Sequence, residues 1–145
     1  MKIGIGADHR GFKTKEFLKQ YLEEKGYKVK DFGTDSRESC DYPDIAFPLA
    51  KEVAAKKLKT GILVCGSGIG MSIAANKVKG AYAALCMSRK MAKMARNHNN
   101  ANIITFGASL LSKKCIKGII DVWLKEDFDG GRHRRRYTKI KKSEC

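Results

Sequence analysis

Short apolar runs alternate along this chain with segments whose apolar residues recur at helical spacing, and no other feature restricts its fold as much. This is the pattern of β-α-β units, in which parallel strands buried on both faces read as nearly continuous apolar stretches and the connecting helices turn one apolar stripe to the sheet. Lys2 to Ala7 predicts a first strand, followed by a helix near Gly11 to Lys25 with Phe17, Leu18, Tyr21 and Leu22 on one face and Gly26 as its stop. Tyr27 to Phe32 predicts a second strand and Gly33 to Asp41 a polar loop. Asp44 is then the expected cap of a helix to about Leu58, with Pro48 still in the first turn, where a missing N–H is tolerable. Further strands are expected at Thr60 to Cys65, Ala81 to Cys86 and Asn102 to Phe106, each trailed by a helical segment. The last helix, about Ser112 to Lys125, ends before Asp129-Gly130-Gly131 and a basic tail. No repeat or linker interrupts the pattern, so the expectation is one α/β domain over residues 1–131 with a basic tail at 132–145.

A chain of 145 residues with 43% hydrophobic content can build a core without disulfide or metal staples. The cysteines, Cys40, Cys65, Cys86, Cys115 and Cys145, are odd in number and none is paired at zinc-ribbon or redox-motif spacing, which reads as free thiols of a reducing compartment. The apolar start is too short and too charged for a signal peptide, and no apolar run reaches membrane length. A cytoplasmic protein with no membrane partner and no metal is the expectation. The formal charge of +15, to which Arg132 to Lys142 supplies seven basic residues, would attract nucleic acid, an anionic membrane or small phosphorylated metabolites. Charge alone does not choose among them.

In an open parallel sheet the ligand site lies outside the carboxyl ends of the strands, which singles out the loops there. After the first strand comes Asp8-His9-Arg10-Gly11, and after the third comes Cys65-Gly66-Ser67-Gly68-Ile69-Gly70. A Gly-x-Gly-x-Gly turn from strand into helix lets backbone N–H groups converge on an anion, although it serves equally as a plain tight turn. A cysteine beside a helix N-terminus is available as base or nucleophile; an isolated strand-end cysteine more often packs as a small hydrophobe. Ser67 fits either turn chemistry or a proton relay between two substrate oxygens. Asp8 reads as a helix cap or as a polyol ligand, His9 and His98 as surface histidines or site groups, and the arginine-rich tail as a solvated end or a phosphate clamp.

Five segments in order, Gly6-Ala7-Asp8-His9, Asp41-Tyr42-Pro43-Asp44, Cys65 to Lys77, His98-Asn99-Asn100-Ala101-Asn102 and Gly130-Gly131-Arg132-His133, resemble the type B ribose-5-phosphate isomerases and their galactose-6-phosphate and allose-6-phosphate isomerase relatives. The resemblance runs nearly end to end. It implies a Rossmann-like three-layer α/β/α sandwich on a five-stranded parallel sheet, no cofactor, and a homodimer with composite active sites that is able to pair into a tetramer. It implies an aldose-ketose isomerase of a sugar phosphate, foremost ribose 5-phosphate, with a six-carbon sugar phosphate or a free sugar as alternatives. Cys65 matches the family's base, and the N–H groups around Gly66, Gly68, Ile69 and Gly70 its oxyanion hole. Ser67 matches the hydroxyl that moves a proton between oxygens, and His98, assisted by Asp8, the ring-opening residue. Tyr42 and Asn99 match substrate contacts, and His9, Arg132 and Arg136 the phosphate clamp, to which the tail thus contributes. The chain departs from the family at Ser109 and Tyr82, where arginine is common, and at Arg10, where a small residue is usual; Arg10 is the expected replacement for the arginine missing at Ser109.

Rival readings are weaker. Gly4-x-Gly6 with Asp31 makes a poor dinucleotide fingerprint, since Asp8 would face the pyrophosphate. The basic tail lacks any nucleic-acid recognition motif, so no nucleic-acid partner is expected. Keeping Cys65, Ser67 and His98 together argues against an inactive subunit.

Overall fold

The computed structural model describes residues 1–144. Strands β1 (Lys2–Ala7), β2 (Lys28–Asp31), β3 (Thr60–Cys65), β4 (Ala83–Leu85) and β5 (Ile103–Gly107) form one sheet in the order β2-β1-β3-β5-β4, every pair parallel. Between and after them run α1 (Phe12–Glu24), α2 (Tyr42–Ala54), α3 (Ile69–Asn76), α4 (Arg89–Asn99), α5 (Lys113–Lys125) and α6 (Arg132–Lys142).

Because side chains alternate along a strand, each strand feeds two cores. Ile3, Ile5, Ile62, Val64, Ile104 and Phe106 pack under α1, α4 and α5, whereas Leu63, Cys65 and Ile103 pack under α2 and α3. On the α2 side β1 carries the exposed Lys2 followed by Gly4 and Gly6. A Cβ at Gly4 would lie 2.7 Å from Leu58 and one at Gly6 2.6 Å from Ile45, so glycine lets the α2 layer close on the sheet. The opposite layer is anchored by Trp123, fully buried, whose Nε1 donates to Thr60 Oγ1 at 3.0 Å.

Lys15, buried in α1, donates to both oxygens of Asp31 at 2.7 and 2.8 Å, tying that helix to the end of β2. Burial alone would raise the Asp31 carboxyl, but the Lys15 ammonium, the Gly33 N–H and Lys19 outweigh it and hold the group below its ordinary value.

Two elements differ from the sequence expectation. Helix α2 starts at Tyr42, with Asp41 rather than Asp44 at its N-cap and Pro43 in its first turn, which puts Pro48 in the helix interior. Proline fits a first helical turn, so Pro43 supplies the start that was expected of Pro48. The helix also ends earlier: Lys56 adopts a left-handed φ of 59°, and Leu58 turns inward against Gly4. The segment read only as a basic tail forms α6, docked through Tyr137 against Tyr82 (ring centroids 5.0 Å apart) and Phe128 (5.8 Å). Glu144 Oε1, just beyond it, accepts the Gly80 N–H at 3.0 Å.

Candidate active site

The carboxyl ends of β1, β3 and β5 open onto a cavity of about 400 Å³ that brings together Asp8, Arg10, Tyr42, Cys65, Gly66, Ser67 and Gly70 from the expected set, with Ser109 and Leu110 beside them. Local chemistry fixes each of these groups. Asp8 Oδ1 accepts the N–H groups of Arg10 and Gly11 at 3.0 and 3.1 Å, so the carboxylate caps its own loop while lining the cavity. Cys65, the last residue of β3, is 5% exposed, and its Sγ accepts the Gly68 N–H at 3.1 Å. Gly68 has φ +81°, and a Cβ there would sit 2.7 Å from the Phe106 backbone, so both conformation and space require glycine. Ser67 Oγ accepts the Ile69 N–H at 3.2 Å, which leaves its own hydroxyl proton to donate.

The N–H groups of Gly68 and Ile69, expected to face an oxyanion, are thus engaged by Cys65 and Ser67. Those of Gly66, Ser67 and Gly70 have no protein partner among the described residues. They stand at the start of α3, where the helix dipole favours negative charge. Ile69 is 53% exposed and its side chain does not line the cavity. The Tyr42 ring covers Gly70, where a Cβ would lie 2.6 Å from it. Arg10 covers Gly66: a Cβ there would meet Arg10 Cδ at 2.9 Å, a guanidinium nitrogen at 3.2 Å and Ser109 Oγ at 3.7 Å. Arg10 and Ser109 therefore share one wall. Leu110, 61% exposed, carries no chemical signal by which the sequence marks it as a lining residue.

The remaining expected residues lie elsewhere. His9 is turned to the loop before α2, its Nδ1 accepting the Cys40 N–H at 3.2 Å. His98 and Asn99 line a separate cavity of about 230 Å³ with His133 and Arg136 of α6, and Arg132 stands exposed at the start of that helix. The His98 and His133 rings stack with centroids 4.2 Å apart. Burial, followed by the neighbouring His98, Arg132 and Arg136, holds the His133 imidazole below its ordinary value. Cys65 pairs with Gly107 at the carboxyl ends of β3 and β5, whereas His98 and Asn99 precede the amino end of β5. At ~3.3 Å per residue the strand itself separates the two groups by roughly 13 Å.

An exposed apolar surface flanks the edge strand β4. Ile69 and Ile73 of α3 are 53% and 58% exposed, and Met91 and Met94 of α4 are each 43% exposed. No helix is long and apolar enough to cross a membrane among the described residues.

Residues 3–140 match the Ribose/Galactose Isomerase family. The chain is 42% identical to ribose-5-phosphate isomerase B of Escherichia coli (strain K12) over 139 residues, 96% of this chain and 93% of that protein. The solved structure of Clostridium thermocellum ribose-5-phosphate isomerase B matches with a TM-score of 0.96 at 46% identity, over 98% of this chain and 96% of that one. Ribose-5-phosphate isomerase B of Mycoplasma genitalium, solved with bound ribulose-5-phosphate, matches with a TM-score of 0.93 at 40% identity, over 97% and 94% of the two chains.

Proposed function

This chain belongs to the ribose/galactose isomerase family and is a sugar-phosphate isomerase; on that premise we propose that it interconverts ribose 5-phosphate and ribulose 5-phosphate with Cys65 as the base. The observation that carries this reading is the placement of Cys65 Sγ, held by the Gly68 N–H at 3.1 Å, in a cavity shared with Asp8, Ser67 and unpartnered N–H groups. Isomerisation removes the proton on C2 of the open-chain aldose and returns it to C1 through an enediolate. Cys65 takes and returns that proton. The N–H groups of Gly66, Ser67 and Gly70 stabilise the charge that develops on oxygen, and the free Ser67 hydroxyl passes a proton between O1 and O2.

Ring opening falls to His98, with Asp8 at the ring oxygen or adjacent hydroxyls. Because β5 separates His98 from Cys65 in one chain, the histidine acts in the site of a second copy. The apolar surface formed by Ile69, Ile73, Met91 and Met94 supports such a homodimer. Arg132 and Arg136 of α6, with Asn99, travel with His98 to the neighbour's site; Arg10 meets the phosphate from within the chain, whereas His9, turned to the loop before α2, does not line the cavity.

The test is a coupled assay on ribose 5-phosphate, allose 6-phosphate, galactose 6-phosphate and the free sugars, run with exchange of the C2 hydrogen into deuterated water. Ribose 5-phosphate should give the highest kcat/KM. Cys65→Ala should lose turnover and exchange by about 10²-fold or more while still binding phosphate, and Cys65→Ser should be nearly as inactive. A loss of only a few-fold would remove Cys65 as the base, and preference for a six-carbon phosphate would overturn the substrate.

A further inference from the structure

We propose that His98, Asp129 and His133 form a binding site for a divalent transition-metal ion of the zinc class, and that its occupation inhibits the isomerase. The inhibitory half rests on the reading of His98 as the ring-opening residue; the binding half does not.

The ligand atoms of these three side chains all lie within 4.8 Å of one another. They come from three segments, the last turn of α4, the loop after α5 and the first turn of α6, so only the tertiary fold assembles them. The frame around them is built from named bonds. The Asp129 N–H donates to the Asn97 carbonyl at 3.0 Å, placing the carboxylate next to the His98 turn, and the His133 N–H donates to the Gly130 carbonyl at 3.0 Å. Asn97, 7% exposed, donates through Nδ2 to the Asp127 carbonyl at 2.6 Å and to Glu126 Oε2 at 2.9 Å, which ties the loop to α4 a second time.

Two imidazoles and one carboxylate are a ligand set that zinc uses, with water at the fourth position. Imidazole nitrogen favours zinc, nickel and copper, whereas magnesium and calcium prefer an all-oxygen shell. The His98 and His133 rings lie nearly parallel, 9° apart, so their lone pairs point along parallel planes and one ring must turn about its χ2 before both face one ion; bonds of ~2.0–2.2 Å in a tetrahedral site then bring the ligand atoms to about 3.3 Å of one another. Asp129 is exposed and the two rings are half-buried, so all three have room to turn, and the adjoining cavity of about 230 Å³ gives the ion an entry. Arg132 and Arg136 beside His133 oppose a cation and weaken its binding. A metal on His98 occupies the nitrogen lone pair that ring opening uses to move a proton, so metal and furanose compete for one imidazole.

The binding test uses the full-length Cys65→Ala chain, which removes the strongest competing soft ligand near the proposed active site. Zinc is titrated calorimetrically and against a chromophoric indicator, with magnesium as the control. One zinc per chain is expected, and no magnesium binding. Asp129→Asn and His133→Ala, each introduced into that chain and checked for an unchanged circular dichroism spectrum, should weaken zinc binding more than about tenfold. Zinc affinity unchanged by both substitutions, or zinc bound only when Cys65 is present, would overturn the site. In the otherwise wild-type chain, zinc should inhibit isomerisation at the concentration at which it binds, and His133→Ala should shift that inhibition to higher zinc. Binding without inhibition would overturn the inhibitory half alone. Full activity of His98→Ala would instead overturn the reading of His98 on which that half rests.

Discussion

The separation of Cys65 from His98 makes a quantitative demand on the assembly. If each site takes its base from one chain and its ring-opening histidine from another, a Cys65→Ala chain and a His98→Ala chain are each inactive alone, but a mixture is not. In a dimer that joins one of each, one site receives both substitutions and the other receives neither. Random pairing after equal amounts are unfolded and refolded together makes about half the dimers mixed, each with one intact site of two, so roughly a quarter of wild-type activity per chain should return. The assay is the coupled isomerisation of ribose 5-phosphate, with native mass spectrometry on chains of distinguishable mass to establish that exchange is complete. The geometry leaves little room for an intermediate result. With ~13 Å of β5 between the groups, one imidazole cannot reach the Cys65 cavity within its own chain unless α4 leaves the sheet. Complete exchange with no recovered activity would mean that the site closes within one chain, and the argument from opposite sheet edges would be wrong.

Two further perturbations test the phosphate wall and the buried ion pair. Arg10→Ala should raise KM for a phosphorylated sugar while hardly changing turnover of the free sugar, because the Arg10 guanidinium lies beside Ser109 on the wall of the cavity; an equal effect on both substrates would count against it. Asp31→Asn should destabilise the protein by about 3 kcal/mol at neutral pH, since it strips buried Lys15 of its main partner. The Asp31 carboxyl lies below its ordinary value in the folded protein. Its stabilisation is therefore fully present above the unfolded carboxylate value of ~3.9 and lost as pH falls through the lower folded value. Denaturant unfolding should show the wild type and Asp31→Asn converging only below about pH 4, and a constant difference down to lower pH would refute the assignment.

What the sequence makes legible is what local chemistry determines. The strand runs and the Cys65 to Gly70 turn follow from apolar continuity and glycine spacing, and the three strand ends that carry Asp8, Cys65 and Ser109 converge as a parallel sheet requires. The start of α2 lies ahead of the expected one because Asp41 takes the N-cap position that was expected of Asp44, and Pro43 rather than Pro48 occupies the first turn. Helix α6 was illegible for a stronger reason. Its segment from Arg132 to Lys142 offers only Tyr137 and Ile140 as large apolar residues, and Tyr137 gains its place from Tyr82 and Phe128, which come from distant parts of the chain. Tyr82, which the resemblance marks as a position of arginine, gives α6 an aromatic seat, a contact that positions the helix carrying Arg132, His133 and Arg136. Under the proposed function the phosphate-binding charge lies on α6 and Arg10, one at the amino edge of the sheet and the other at the carboxyl edge. Under that function a phosphate held by both sets at once would lie between two chains, and substrate binding would then depend on dimer formation.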